Sequence, residues 1–437
     1  MSKLLIQGPG RLEGELRVHG AKNSTLPLMA AALLCGSECI LHNCPDLSDV
    51  DTSVRILRHL GCRTERSGSD VLVDPRGADH WDIPETLMRE MRSSIVFLGA
   101  IVSKMGKATL SFPGGCELGP RPIDLHLSAL RKLGVSIQED HGCLRCSAEQ
   151  GLKGTNIAFS FPSVGATENV LLAACCAKGT TVITNAAREP EICDLADFLN
   201  ACGGKICGAG DSTIIVEGVK KLDGCEHRVI PDRIAAATYL AAAAVTGSTL
   251  TLTHVLPAHM APVLPVFEET GCQIDVDGET MRIVAPKRLS RMKNVRTMPY
   301  PGFPTDAQAP VMTMAAVAEG TSIFVENIFE SRYKHVGELL RLGANIKVEG
   351  RVAVVEGVQR FSGAPVEAAD LRGGAALVVA GLAAQGETLV SGVKHIDRGY
   401  ESIEKSLRSL GARVIRIPEE PAGKVPVCRA AVYQEGS

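Results

Sequence analysis

Residues 22–36 read KNSTLPLMAAALLCG: a polar start, an apolar run rich in Ala and Leu, and a closing glycine. The run recurs as FLGAIVSKMG (97–106), NVLLAACCAKG (169–179), ATYLAAAAVTG (237–247), VMTMAAVAEG (311–320) and ALVVAGLAAQG (376–386). Apolar residues on most of the surface predict a helix that is buried, not one lying half in water. A second set of glycines, Gly61, Gly134, Gly203, Gly271, Gly343 and Gly411, follows in the same phase, spaced 73, 69, 68, 72 and 68 residues apart. The chain is therefore six copies of one unit, and that repeat fixes the architecture before any local reading does.

Within a copy, Gly36 suits a left-handed residue just past the helix. ECILHN (38–43) then alternates as a strand. Ser48 or Asp49 can cap a second helix whose Val50, Val54, Leu57 and Leu60 share a face. CRTERS (62–67) and DVLVD (70–74) read as two strands joined at Gly68-Ser69, and ELRVHG (15–20) or PVEAAD (365–370) leads into the first helix. The module is βαβαββ. The expected fold class is α/β: a two-domain inverse α/β barrel-like fold of six βαβαββ repeats, three per domain. RLEGELRVHG (11–20) matches the segments before each later first helix, so the N-terminus is expected to supply a strand to the last module. The domains are then 21–230 and 1–20 plus 231–437.

Composition narrows the function. Net charge is −3 on 437 residues, with no basic run and 4% aromatic residues, which disfavours a nucleic-acid partner. The longest apolar runs are too short to span a bilayer. MSKLLIQGPG carries no secretory pattern. A cytoplasmic protein with no membrane partner is expected, and a monomer. Fifteen cysteines, an odd number with irregular spacing, predict reduced thiols. Cys143 and Cys146 form a CxxC with no second pair or histidine nearby, and they fall in strand material. Cys175, Cys176, Cys202 and Cys272 stand where sister modules carry Ala or Leu and read as core. No GxxxxGK[ST] or GxGxxG occurs, which sets aside nucleotide hydrolysis and dinucleotide binding of those types.

The chemistry stands fourteen residues before each closing glycine of the apolar runs. Those positions hold Lys22, Arg92, Gly165, Arg233, Asp306 and Arg372. Packing does not call for cations there, but a helix N-terminus already favours anions. Arg121, Arg332 and Arg398 occupy strand-to-helix connections of the second, fifth and sixth modules. Together they predict a small polyanionic ligand. Asp306 is either a general base or an acid that balances the arginines, and the residues alone leave both open. Cys116 lies in SFPGGCELGPRPIDLH (111–126), among three glycines and three prolines, in a setting that fits an exposed loop thiol activated by Arg121.

GAKNSTLPL, PGGCELGPRPIDLH, PSVGATENVLLAA, NAAREPEI, PDRIAAATYL, FPTDAQAP and HIDRGYESI closely resemble the enolpyruvyl transferases, from about residue 3 to residue 416. The cysteine loop resembles the branch acting on a UDP-sugar, not the one acting on 3-phosphoshikimate. The resemblance implies transfer of the enolpyruvyl group of phosphoenolpyruvate to the 3′-hydroxyl of UDP-N-acetylglucosamine, the first committed step toward peptidoglycan, with no metal or organic cofactor. It implies that Lys22, Asn23, Arg121 and Arg398 hold the substrate phosphate, and Arg332 and Arg372 its carboxylate. Cys116 would protonate the methylene carbon and Asp306 would take the sugar hydroxyl proton. Arg92, the backbone of Arg121, Pro122, Ile123, Asp124 and Leu125, then Ser163, Val164, Gly165 and Ile328, would bind the UDP-sugar, and Arg233 adds a further cation. Phe161, Ser48 and Ser331 depart from the pattern of enterobacterial members of the family, which have two lysines and an asparagine there. A six-module clamp is the competing reading, but a clamp needs its cations spread over all modules. A duplicated member with lost or altered activity is another, which nothing in the motifs supports.

Overall fold

The computed structural model describes residues 2–112 and 123–418. Its six central helices are α1 (Lys22–Ala32), α2 (Phe97–Met105), α3 (Val164–Ala174), α4 (Arg233–Val245), α5 (Thr305–Val317) and α6 (Leu371–Ala383). Burial follows the sequence pattern closely. Every residue of α1 except Asn23 is buried, and every residue of α4 except Val245. α1, α2 and α3 pack on one another pairwise, as do α4, α5 and α6. Small side chains permit this: at Gly99 in α2, a Cβ would stand 2.3 Å from the carbonyl oxygen of Asn169 in α3.

The sheets lie outside these helices. Their strands alternate buried and exposed residues, as sheets with one wet face do. Among the described residues there are six sheets, one for each module, and none closes on itself. The apolar core is two clusters. One draws only on residues from Leu26 to Val229, the other on Leu4 to Val18 and Ala235 to Val414.

Four modules keep their leading strand. Asp82–Ile83 pairs in parallel with Lys107–Ser111, Asn156–Ala158 with Thr180–Thr184, Asn294–Arg296 with Thr321–Val325, and Pro365–Glu367 with Ala384–Ser391. The first and fourth modules exchange theirs. Glu226–Arg228, just before α4, pairs with Cys39–His42 of the first module, and Glu15–Arg17, just before α1, pairs with Thr249–Thr253 of the fourth. The strand within RLEGELRVHG thus joins the fourth module. The strand given to the last module is Ser2–Gly8, which pairs antiparallel with Ala384–Ser391 and Arg413–Pro418. The two crossing segments run side by side: Gly20 bridges Pro231, Ala21 N donates to Ile230 O at 2.7 Å, and Asp232 N donates to His19 O at 2.9 Å.

Both glycine series are mainly left-handed: in the first, Gly106, Gly179, Gly247, Gly320 and Gly386 have φ between 60° and 105°. All six of the second series have φ between 90° and 99°, the left-handed region where a Cβ is strained. Gly36 is not left-handed, contrary to the sequence expectation. A Cβ there would meet Lys221 Cε at 2.9 Å, the end of a side chain that can move aside, and Leu222 O at 3.4 Å.

Candidate active site

Each central helix places its fourteen-offset residue in its first turn. Lys22 and Arg233 begin α1 and α4, while Gly165, Asp306 and Arg372 are second in α3, α5 and α6. Arg92 differs, opening a short 3-10 turn (Arg92–Val96) that runs into α2. The positive end of each helix therefore lies at these positions, with Asp232, Asp370 and Ser163 capping the starts of α4, α6 and α3.

The first cluster joins both halves of the chain. Lys22 Nζ lies 2.7 Å from Asp49 Oδ2, and Arg398 takes the same carboxylate with Nε at 2.9 Å and Nη2 at 3.2 Å. Asp49 is the second residue of the Ser48–His59 helix and does not cap it, nor does Ser48. The N-cap is Leu47, without a side-chain bond. Ser48 Oγ instead reaches Asp397 O at 3.5 Å. Burial works against the Asp49 carboxylate, but Lys22 and Arg398 outweigh it and hold the group below its ordinary value. For Lys22 the balance falls the other way. Burial pulls it below its ordinary value, Asp49 resists, and Arg398 and Arg372 add to the lowering.

A second carboxylate serves a second pair of arginines. Asp306 Oδ1 accepts from Arg332 Nη2 at 2.9 Å, and Asp306 Oδ2 accepts from Arg372 Nη2 at 3.2 Å and Nε at 3.3 Å. Arg332 also donates to Thr305 O at 3.0 Å. Both guanidiniums are buried. Arg372 is held from two sides, its backbone N–H donating to Asp370 Oδ1 at 3.0 Å and its Nη1 to Tyr400 Oη at 3.3 Å. Burial opposes its charge, yet Tyr400 and Asp306 together raise its pKa above the ordinary value. Beside them Glu326 orders the turn containing Ile328, accepting from Ile328 N at 2.8 Å, Phe329 N at 3.0 Å and Thr305 Oγ1 at 3.1 Å.

Arg233 forms the third pairing, its Nε donating to Glu191 Oε1 at 3.0 Å and its Nη2 to Oε2 at 3.3 Å. Asp306 helps to raise its pKa, and Arg372 helps to lower that of Lys22. The starts of α1, α4, α5 and α6 thus share one electrostatic field.

The remaining expected positions surround this centre unevenly. Ser163 caps α3, its Oγ accepting from Ala166 N at 3.4 Å, with Val164 and Gly165 in the turn that follows. A Cβ at Gly165 would stand 3.0 Å from His126 Cε1, which explains a glycine in a series of charged residues. Asn169 Nδ2 lies 2.8 Å from His126 Nδ1 and donates to Ile95 O at 3.0 Å, while its Oδ1 accepts from Gly99 N at 2.7 Å. Burial pushes His126 down to about 4, so its ring is neutral and Nδ1 can accept. Ile123, Asp124 and Leu125 begin the next helix and line a cavity of about 450 Å³ with Phe112 and Ser128. Asn23 and Ser331 are half-buried, and Phe161 and Ser48 are exposed. Cys116, Arg121 and Pro122 lie outside the described residues. Cys143 and Cys146 are three apart on one strand and point to opposite faces, so their thiols do not converge.

Sequence reading missed Asp49, Glu191, Glu326 and Tyr400. For Asp49 and Glu191 a signal existed: both are acids in the first turn of a second helix. Glu326 and Tyr400 carry no such mark.

Cations at the starts of the central helices are thus paired with carboxylates, in one case across residues drawn from both ends of the chain. The chain belongs to the enolpyruvyl transferase family: the profile for EPSP synthase (3-phosphoshikimate 1-carboxyvinyltransferase) matches residues 6–407. Its similar relatives include UDP-N-acetylglucosamine 1-carboxyvinyltransferase 2 of Caldanaerobacter subterraneus subsp. tengcongensis, 52% identical over 95% of this chain and 100% of that one. UDP-N-acetylglucosamine 1-carboxyvinyltransferase of Gloeobacter violaceus is 47% identical over 98% and 94%. Among solved structures, the enolpyruvyl transferase NikO from Streptomyces tendae matches with a TM-score of 0.87 at 26% identity, covering 95% of this chain and 98% of that one. EPSP synthase from Acinetobacter baumannii shares the fold, with a TM-score of 0.72 at 18% identity over 96% and 100%.

Proposed function

We propose that the chain transfers the enolpyruvyl group of phosphoenolpyruvate to the 3′-hydroxyl of UDP-N-acetylglucosamine, releasing phosphate and making the first dedicated precursor of peptidoglycan. The observation that carries this reading is the pairing of Asp49 with Lys22 and Arg398, and of Asp306 with Arg332 and Arg372. Phosphoenolpyruvate has two anionic ends, a phosphate and a carboxylate. Two cationic pairs stand ready, each now satisfied by a carboxylate of the chain itself. Substrate binding exchanges those internal anions for the substrate's own, with little reorganisation of the buried guanidiniums.

In this reading Lys22, Arg398 and Arg121 hold the phosphate with Asn23 beside them, and Arg332 and Arg372 hold the carboxylate. Cys116 delivers a proton to the methylene carbon, and the Asp306 carboxylate, displaced from the arginines, takes the proton of the attacking hydroxyl. Phosphate then leaves the tetrahedral intermediate as a proton is lost from the new methyl group, which restores the enol double bond. Arg92, Ile123 to Leu125, Ser163 to Gly165, Arg233 and Ile328 grip the sugar nucleotide. The units that close on each other are 21–230 and 1–20 plus 231–437, a division supported by the two apolar clusters and the exchanged strands. The enzyme works as a cytoplasmic monomer, and its loss disturbs cell shape and division. Among the described residues no helix is long and apolar enough to cross a membrane.

The test is phosphate release from phosphoenolpyruvate with the acceptor varied. Release that depends on UDP-N-acetylglucosamine supports the reading. Release with 3-phosphoshikimate instead, or none with either acceptor, overturns it.

A further inference from the structure

Four cysteines far apart in sequence meet at the back of the first unit, away from the cation pairs. Cys35 follows α1, Cys39 begins the Cys39–His42 strand, Cys202 ends the Pro190–Ala201 helix, and Cys225 immediately precedes the Glu226–Arg228 strand. The Sγ atoms of Cys35, Cys39 and Cys202 all lie within 4.8 Å of one another, and all three residues are buried. Cys35 Sγ is 3.6 Å from Cys202 Sγ, which is 3.2 Å from the Sγ of half-buried Cys225.

We propose that Cys35, Cys39, Cys202 and Cys225 form a structural zinc site. Four thiolates at a Zn–S distance of about 2.3 Å place their sulfurs about 3.8 Å apart in a tetrahedron. The Cys35–Cys202 separation of 3.6 Å lies close to that value and the Cys202–Cys225 separation of 3.2 Å below it, both far longer than the sulfur–sulfur bond of a disulfide; Cys225 stands outside the set of three and turns inward to complete the tetrahedron. An all-sulfur, closed donor set with three of its four residues buried suits a d¹⁰ borderline ion and leaves no position for substrate.

The surroundings fit the ion's charge. Each ligating thiol gives its proton to solvent, so four thiolates and Zn²⁺ carry a net −2 with no change of oxidation state. Lys104 of α2 is half-buried at the rim, its Nζ donating to Cys35 O at 3.1 Å. The place also explains the purpose. Here the strand before α4 closes onto the first module, through Gly36 N to Leu222 O at 2.8 Å, Asp223 N to Cys202 O at 2.8 Å and Ile40 N to Cys225 O at 3.0 Å. A metal here staples the first module to the third, completing the ring of three.

Cobalt(II) reads the site in the full chain, reduced and stripped of metal, in a Cys116→Ser background that removes the loop thiol. One equivalent should give thiolate-to-cobalt charge transfer and the intense visible bands of tetrahedral cobalt, both lost on adding one equivalent of zinc. Zinc should raise the melting temperature by several degrees. Cys35→Ser, Cys39→Ser and Cys202→Ser should each abolish the bands, and Cys225→Ser should weaken zinc binding at least tenfold. Cys272→Ser, a buried thiol of the other core cluster, should leave them intact. Weak octahedral absorption, no saturable binding, or a Cys202–Cys225 disulfide in freshly reduced protein overturns the site. So does a Cys272→Ser effect equal to that of Cys39→Ser. An unchanged spectrum in Cys225→Ser overturns the four-thiolate form. Should the serine variants fail to fold, the cobalt spectrum of the Cys116→Ser chain decides alone.

Discussion

Asp49 and Arg398 are 349 residues apart in sequence, yet they form a two-pronged pair, Nε to Oδ1 at 2.9 Å and Nη2 to Oδ2 at 3.2 Å. The same carboxylate holds Lys22, so one buried acid clips a lysine of the first apolar cluster's segment to an arginine of the second's. Asp306 repeats the arrangement with Arg332 and Arg372. In both places a pair of cations is held in order by an internal anion. Cations buried without such a partner would be far more costly.

Asp49→Asn tests the first clip. Burial already lowers the pKa of Lys22, and Asp49 is the main force resisting it. Without that carboxylate the lowering grows, so Lys22 loses its proton at lower pH. The alkaline limb of kcat/KM for phosphoenolpyruvate should move toward neutrality, since that profile reports groups of the free enzyme. Breaking one side of a buried pair should also cost about 3 kcal/mol in urea unfolding. An alkaline limb that stays in place would show that Lys22 does not depend on Asp49.

Asp306→Asn separates base from scaffold. The amide keeps the shape and can still accept from one arginine, but it cannot take a proton. A lost general base should lower kcat by about a hundred- to ten-thousand-fold. Binding of the sugar nucleotide should persist. KM for phosphoenolpyruvate should stay level or fall, because the variant no longer competes with the substrate carboxylate for Arg332 and Arg372. A kcat within a few-fold of the parent, measured with both substrates varied, would leave Asp306 as a charge-balancing group only.

Sequence displayed the repeat because a buried helix must be apolar all round and its end must turn. Hence left-handed glycines also end the second helices at Gly61, Gly134 and their sisters, and the Ala-rich runs recur, closed by Gly36, Gly106, Gly179, Gly247, Gly320 and Gly386. It displayed the cations because they sit at one offset from those glycines. It concealed the strand exchange, since Glu15–Arg17 and Glu226–Arg228 look like any other leading strand and only tertiary pairing shows that they trade sheets. It concealed Asp49 for a related reason. An acid in a helix's first turn reads as local capping, and its partner Arg398 lies at the far end of the chain. Cys202, read as a core residue, is core, but no spacing rule links it to Cys35, Cys39 and Cys225.

Cys116 stands apart from the other thiols by its Gly/Pro-rich neighbourhood in sequence. If it donates the proton, Cys116→Ser should abolish turnover, because a serine hydroxyl is too weak an acid near neutrality. Cys116→Asp should retain part of the activity, since a carboxyl can still shuttle a proton. Steady-state phosphate release checks both, and full activity in Cys116→Ser would remove the thiol from the reaction.

Glu168, in the interior of α3, predicts a pH effect on stability that is separate from catalysis. Burial, and after it the nearby Glu191 and Glu189, push its carboxyl up to about 8 from an ordinary value of 4.5. Between those values the folded chain holds a proton that the unfolded chain has released. Stability therefore falls as pH rises through this window, and the deficit is complete above about 8. At roughly 1.4 kcal/mol per pKa unit the upper bound is about 5 kcal/mol. His126 and His335, both pushed down to about 4 chiefly by burial, act on the other side. They stay neutral in the fold, so stability is lost as pH drops from about 6.5 toward 4. Glu168→Gln should consequently match the parent's melting temperature near pH 5, exceed it increasingly up to pH 8–9, and leave the acid-side loss unchanged. Melting curves of the two proteins that run parallel from pH 5 to 9 would mean that the Glu168 carboxyl is ionised in the fold and compensated by a neighbour.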